Sequence, residues 1–275
     1  MVRNKKSRRD GFTLVELLVV IVIIGILASL ITMAVFAALR KAKEAAIYQE
    51  LSKVYAGFET FRERFGSFPP DGNGGNEKMK KFVVKAFRNA KQGTVPPGEV
   101  SEAQSGPSHA IVFWLSGVST DERRPFSKEG GGFGGSSSQS ELYYKFFDFP
   151  SSRVSQDGQF YAPEYDMGVD PPYLYFYYET YNMAAYRGPD GMSFKPYDRG
   201  PAKAKQGGGG GGNSRDYFAP DTCQLISAGL DKKLGTGGTV TTDAAVAAGG
   251  SEFISEQDED NIAAFHTQKI GDIKE

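Results

Sequence analysis

The 275-residue chain is poor in the side chains that build most metal and redox centres. Cys223 is its single cysteine, so no disulfide can form within the chain and a multi-cysteine zinc site is excluded. His109 and His266 are its two histidines, too few for a histidine-rich metal centre. The formal net charge is −1, and with this balance we expect no nucleic acid partner.

The sequence also lacks the motifs of common enzyme classes. It contains neither Gly-x-Ser-x-Gly nor His-Glu-x-x-His, and Cys223 lies in an apparent strand with no sign of a histidine partner. The glycine run 207–212 is too uniform for a phosphate-binding loop, which needs Gly-Lys-Ser/Thr leading into a helix. We therefore expect a protein that is not an enzyme.

Charge is missing from one long segment near the amino terminus. Residues 17–39 carry no ionisable side chain and are mostly apolar, which is the length of a bilayer-spanning helix. The apolar core of a secretory signal peptide is shorter, about 7–15 residues. More basic side chains precede the run than directly follow it, which favours a cytoplasmic amino terminus: Arg3, Lys5, Lys6, Arg8 and Arg9 against Arg40, Lys41 and Lys43.

Glu16 stands directly before this uncharged run. An unpaired charge at the centre of a bilayer costs about 2.5–3.5 kcal/mol on insertion scales, so this carboxylate needs a partner. The alternatives are a protonated side chain or one that reaches the headgroups. Further along, Gly25 and Ser29 are four residues apart and would let another helix approach closely, although small residues are also common in membrane helices.

An amphipathic segment follows the apolar run without an intervening proline. Its apolar side chains recur every three or four residues, which predicts a helix with one buried face: Ile47, Leu51, Val54, Phe58, Phe61 and Phe65. We expect one continuous helix over 12–65, about 80 Å long. Gly66 is placed to end it, and Pro69-Pro70 prevents its continuation.

The rest of the chain predicts a globular domain with flexible insertions. We expect a short basic helix within 77–91 and a short apolar helix or strand at 110–118. Aromatic runs predict strands of an antiparallel sheet at 142–149, 159–165 and 173–178, where the rings serve as core or, alternatively, as a ligand platform. Low-complexity segments near 128–140 and 206–214 predict loops. The predicted class is α+β: a long amino-terminal helix packed on a small antiparallel sheet domain.

Oxygen-bearing side chains cluster near the carboxyl terminus. Glu256, Asp258, Glu259, Asp260 and Asn261 follow one another closely. Calcium takes six to eight oxygen ligands of this kind, so the cluster is either a calcium site or a solvated turn. It lacks the spacing of an EF-hand loop.

The run 11–30, GFTLVELLVVIVIIGILASL, closely resembles the amino terminus of type IV pilin-like proteins, including the pseudopilins of type II secretion systems. It follows a basic leader and combines a glycine before a phenylalanine, a glutamate five positions after the cut and an unbroken apolar helix. The resemblance implies that a prepilin peptidase/methyltransferase cuts after Gly11 and methylates the new amino terminus at Phe12. It also implies that Glu16 faces the amino terminus of a neighbouring subunit, which supplies the missing cation.

This resemblance implies a division of the chain into four parts. Residues 1–11 are a cleaved leader, 12–39 a transmembrane and filament-core helix, 40–66 an amphipathic helix continuing into the soluble domain, and 67–275 a periplasmic α+β domain. Such a protein crosses the inner membrane once, with a cytoplasmic amino terminus, and then enters a periplasmic or extracellular filament. The implied partners are the peptidase, other pilin or pseudopilin subunits and the inner-membrane assembly platform.

The implied function is that of a structural subunit of a type II secretion pseudopilus. The alternatives are a subunit of a type IV pilus serving adhesion, motility or DNA uptake, and a signal-anchored periplasmic binding module. The assembly residues are Glu16, Gly25 and Ser29. Residues 65–70, 225–231 and 258–262 resemble further segments of major pseudopilins, and the last two imply calcium at Asp258 and Asp260.

Five features depart from this family. Lys232 and Lys233 replace small or acidic residues, and the loop that follows them is longer. Met33 stands where many relatives have a proline, so that residue does not encode a helix break. The region 92–215 has no counterpart, and the carboxyl-terminal disulfide common in pilins is excluded because Cys223 is alone.

Overall fold

A computed structural model gives the fold of the chain. It describes residues 12–73, 75–88, 106–119, 143–182, 185–188, 193–201, 215–240, 258 and 260–264. The leader with Gly11, both low-complexity segments and His266 lie outside the described residues. The chain divides into two units, Met1–Lys43 and Glu44–Glu275.

The first helix, α1, runs from Leu14 to Phe65. This confirms the long helix predicted from the apolar run and the amphipathic repeat. From Leu14 to Leu39 its large apolar side chains are exposed in the isolated chain, as is Phe12 just before it. By length and composition alone, α1 is the one helix among the described residues that could cross a membrane.

The amphipathic part of α1 buries one stripe, as its spacing predicts. Ile47, Leu51, Val54, Phe58 and Phe61 are all buried. These positions alternate spacings of four and three, which places them on one face of a helix. The other positions of this part carry most of its charge, so one face meets the domain and the other meets solvent.

A glycine and two prolines end α1, as predicted. The Gly66 N–H donates to the Arg62 carbonyl at 2.7 Å with a φ of +79°, and Pro69-Pro70 then leads away from the helix. Two buried side chains fix this exit: Trp114 Nε1–H donates to the Pro70 carbonyl at 2.8 Å and Tyr175 O–H to the Pro69 carbonyl at 2.6 Å.

Two short helices pack beside this exit. α2, Gly75–Ala86, is the predicted basic helix, and its Phe82 and Val83 are buried. α3, Ala110–Leu115, resolves the helix-or-strand alternative in favour of a helix. All of its side chains except that of Phe113 are buried, which is why the segment reads as uniformly apolar.

The strands of the described residues form three small sheets. β1 (Val118–Ser119) pairs with β2 (Tyr143–Tyr144). The second sheet has the antiparallel order β3-β7-β9, and its strands are Leu174–Tyr177, Cys223–Ser227 and Ile262–Ala263. The third joins β4, β5 and β6 in antiparallel order with β8 parallel to β5, and its strands are Tyr186–Arg187, Ser193–Pro201, Arg215–Tyr217 and Gly237–Thr239. The α+β class is confirmed.

The β3-β7-β9 sheet separates two cores. Tyr175 and Tyr177 on β3, and Tyr173 directly before it, face the core that contains the buried stripe of α1. Tyr175 stacks on Phe58 at a centroid distance of 4.1 Å. Leu174 and Phe176 face the second core. These tyrosines are at most 5% exposed, so the aromatic run builds core and offers no ligand platform.

One predicted strand is much shorter than expected and another is wrong. Of the described residues in 142–149, only Tyr143 and Tyr144 pair in a sheet. Residues 159–165 contribute one isolated bridge, between Phe160 and Val154. The reason is side-chain packing: Phe146 meets Phe61 edge-on at 5.1 Å, and Phe160 packs against Tyr173 at 5.3 Å. These aromatic residues fill core from irregular backbone.

Candidate functional site

The first turn of α1 carries a capping pair made by Thr13 and Glu16. The Glu16 N–H donates to Thr13 Oγ1 at 3.2 Å, and the Thr13 N–H donates back to Glu16 Oε2 at 2.8 Å. The Thr13 hydroxyl also donates to Glu16 Oε2 at 2.8 Å. This is the capping box, in which a threonine at the N-cap and a glutamate three residues later satisfy each other's amides.

The capping pair gives Glu16 a partner within its own chain. Its carboxylate lies at the positive end of the helix dipole, which favours a negative charge there. Both hydrogen bonds from Thr13 go to Oε2, and no donor among the described residues meets Oε1. Thr13 was missed by the sequence reasoning, although the signal, Thr-x-x-Glu before an apolar run, is present at 13–16.

The other predicted assembly residues lie along the same exposed part of α1. Phe12 is 79% exposed. A Cβ at Gly25 would meet nothing within 4 Å, and the Ser29 hydroxyl donates to the Ile26 carbonyl at 2.8 Å. The polar group of Ser29 is thus satisfied inside its helix. The roles of Gly25 and Ser29 in helix packing, and of Gly11 in cleavage, stay predictions.

The second predicted site is the acidic cluster near the carboxyl terminus. Its Asp258 lies in the second core and is fully buried. Its Oδ1 accepts from the Tyr197 hydroxyl and from the Gly237 N–H, both at 2.9 Å, and its Oδ2 accepts from the Thr236 N–H at 3.1 Å. Asn261 Nδ2 donates to the Tyr197 oxygen at 2.7 Å. The same burial raises the pKa of Tyr197 well above its usual value, so its hydroxyl stays a donor.

Asp260 binds the backbone of the predicted glycine turn through its carboxylate. Its Oδ2 accepts from the Leu230 N–H at 2.7 Å and from the Asp231 N–H at 3.0 Å. A Cβ on Gly229 would lie 1.9 Å from the Asp260 carbonyl oxygen. The two segments joined by the resemblance to pseudopilins therefore do meet in space.

Both carboxylate oxygens of Asp258 already accept hydrogen bonds from this chain. Hydrogen-bond donors face both of its oxygens, whereas a cation needs their lone pairs. Within the described part of the chain, no group of three or more histidine, cysteine or acidic side chains is placed to hold a metal ion. Calcium at Asp258 and Asp260 stays a prediction of the resemblance, and the structure supplies a hydrogen-bonded anchor at these positions.

We expect Asp258→Asn to lower the free energy of unfolding by about 2 kcal/mol or more, since the amide nitrogen would face an N–H donor in a buried site. Asp148→Asn, at a carboxylate that is 92% exposed, is the matched control and should change little. Thermal melting of the full chain in detergent measures both. EDTA should leave the melting temperature of the unmutated protein unchanged; a fall that calcium reverses would contradict the anchor and support the metal.

A serine, a histidine and an aspartate also meet in the domain. Ser108 Oγ lies 3.0 Å from His109 Nδ1, and Asp157 Oδ2 lies 3.6 Å from His109 Nε2. Ser108 is only 2% exposed and burial lowers the pKa of His109. A substrate cannot reach a serine so deeply covered, so this trio joins α3 to the 155–159 turn. The expectation that the chain is not an enzyme stays a prediction.

Comparison with known proteins bears on the amino-terminal site alone. Residues 6–32 match the family model for the prokaryotic N-terminal methylation motif. No curated protein and no solved structure matches the chain. The matched range includes the capping pair, Phe12, Gly25 and Ser29. The chain thus carries the amino-terminal motif of type IV pilin-like proteins, which prepilin peptidase processes and which assemble with other pilin subunits.

Proposed function

We propose that this chain is a structural subunit of a type II secretion pseudopilus. Prepilin peptidase cuts it after Gly11 in the inner membrane, methylates Phe12, and the assembly platform draws the subunit into a filament. The carrying observation is the methylation motif at 6–32, which from Leu14 onward lies on a helix whose large apolar side chains are exposed as far as Leu39. So much exposed apolar surface needs lipid or other helices to cover it.

In this proposal the protein works by packing. The globular domain lies in the periplasm, and the apolar part of α1 moves from the lipid bilayer into contact with other subunits. Gly25 and Ser29 let neighbouring helices approach closely, because neither side chain is large and the Ser29 hydroxyl is already bonded to its own helix. Glu16 offers Oε1 to the amino terminus of a neighbour.

A type IV pilus subunit is the alternative, because the same motif serves both machines. The segments 65–70, 225–231 and 258–262 support the pseudopilus, since their sequences resemble segments of major pseudopilins. A signal-anchored binding module is less favoured, because the tyrosines of β3 are buried in the core and cannot form a platform for a ligand.

Processing tests the proposal. Co-expression with a prepilin peptidase is expected to remove the first eleven residues and to leave a methylated Phe12, as measured by intact-protein mass. Gly11→Ala should block the cut, whereas Gly25→Ala, at a glycine with open space around it, should leave the cut unaffected. An intact leader on the unmutated chain, or a cut at another bond, would refute the proposal.

A further inference from the structure

Beyond α1, the described residues expose three large apolar side chains. Val84 is 72% exposed, Val169 71% and Met167 47%. The other large apolar side chains of the described domain are covered or partly covered. Val84 lies on α2, and the other two lie together on the turn at 163–170. These two patches carry opposite charge.

The patch around Val84 is basic. α2 buries Phe82 and Val83, which turns its opposite face outward. That face surrounds Val84 with exposed cations, none of which forms an ion pair with another described residue: Lys80, Lys81, Lys85 and Arg88. These four like charges, three on α2 and Arg88 just after its end, repel each other, and an anionic surface would relieve that repulsion.

The patch around Met167 and Val169 is acidic and held in shape. The Asp170 N–H donates to the Asp166 carbonyl at 2.9 Å, and the Asp166 N–H donates to Asp170 Oδ2 at 2.7 Å. This closed turn fixes the two apolar side chains outward. Glu164 and Asp166 are exposed beside them, and Lys232 pairs with Asp170 at 2.7 Å.

The two patches lie at different levels along α1. α2 packs beside the end of the helix, where Phe87 and Phe65 are 4.7 Å apart. The acidic turn lies next to Tyr161. The Tyr161 carbonyl accepts a hydrogen bond from Arg153, and Arg153 forms an ion pair with Glu50 on α1. Glu50 precedes Phe65 by fifteen positions, a rise of about 22 Å on a helix. The patches therefore meet between copies, not within one.

We propose that the Val84 face of one copy docks on the acidic turn, residues 163–170, of the next copy in the filament. The contact joins two different surfaces, so it is head-to-tail and can repeat from copy to copy, as a filament requires. Apolar tips meet at its centre and opposite charges surround them, the usual arrangement of a specific interface. The inference rests on the proposed filament function and names its subunit contact.

Disulfide cross-linking tests the contact. Chains carrying Val84→Cys and chains carrying Val169→Cys are co-expressed with the assembly system, and sheared filaments are oxidised. Cys223 is buried, so it adds little background. A cross-linked dimer is expected only when both variants are present. As a control, Ser193→Cys, an exposed position on β5, replaces Val169→Cys and should give no dimer with Val84→Cys.

The contact and the proposed function would be refuted by different results. Filaments that contain both variants without a dimer, or with an equal yield from the Ser193→Cys control, refute the contact and leave the proposed function standing. An unmutated chain that never enters filaments refutes the proposed function, and the contact with it.

Charge exchange gives a second readout that does not depend on cysteine. Lys81→Glu or Asp166→Lys alone should reduce filament incorporation roughly tenfold, because each places like charges opposite each other. Both changes in one chain should restore incorporation, since every copy then meets a reversed partner. A double variant as defective as either single variant would contradict the contact.

Discussion

Glu16→Gln is expected to leave α1 intact and to reduce incorporation into filaments on the order of a hundredfold. Glutamine serves at this position of a capping box, so it keeps an acceptor for Thr13. It removes the negative charge, and the amino terminus of the neighbouring subunit is then left unpaired in an apolar surrounding. An unpaired charge there costs about 2.5–3.5 kcal/mol, which corresponds to that factor. The measurement is the ratio of chain in sheared filaments to chain retained in the membrane.

Thr13→Ala is the matched control for this prediction. It removes the other half of the capping box and leaves the carboxylate in place. We expect a cost of about 1 kcal/mol at the helix start and nearly normal incorporation. If Thr13→Ala impairs incorporation as much as Glu16→Gln does, or if Glu16→Gln assembles normally, Glu16 acts as a helix cap and its pairing between subunits is refuted.

Gly229→Ala is expected to give the largest loss of stability, more than about 4 kcal/mol. Gly229 has a φ of +70°, which an alanine adopts only with strain. The new Cβ would also lie 1.9 Å from the Asp260 carbonyl oxygen, so the backbone that carries Asp260 must move away. That movement breaks the hydrogen bonds from Leu230 and Asp231 to its carboxylate.

Gly66→Ala separates the two causes. Gly66 has a φ of +79°, but a Cβ there would meet nothing within 4 Å. It should cost only the conformational strain, about 1–2 kcal/mol. Thermal melting of both variants in detergent compares them. Equal losses would show that the close approach between Gly229 and Asp260 does not exist in the protein.

The long helix was predictable because its signals are local. Residues 17–39 lack charge, the stripe from Ile47 to Phe61 repeats every three or four positions, and Gly66 ends the pattern. Each of these features acts within a few residues of chain, so sequence spacing alone determines its structural meaning. The basic helix α2 was predictable for the same reason.

The sheet and the buried anchor were less predictable because they depend on distant partners. Phe146 and Phe160 have the composition of strand residues, yet they fill core against Phe61 and Tyr173, which come from other parts of the chain. The role of Asp258 depends on Tyr197, 61 positions earlier. None of these three residues has a local sequence signal that identifies its partner. Thr13 differs, because its partner is three residues away and its signal was present.

The mass of the amino-terminal peptide from sheared filaments is the decisive measurement of processing and assembly together. We expect this peptide to begin at Phe12, to carry one added methyl group and to lack residues 1–11. A filament subunit that retains the leader or begins at another residue would refute the proposed function, as would a chain that is cut correctly but absent from every filament.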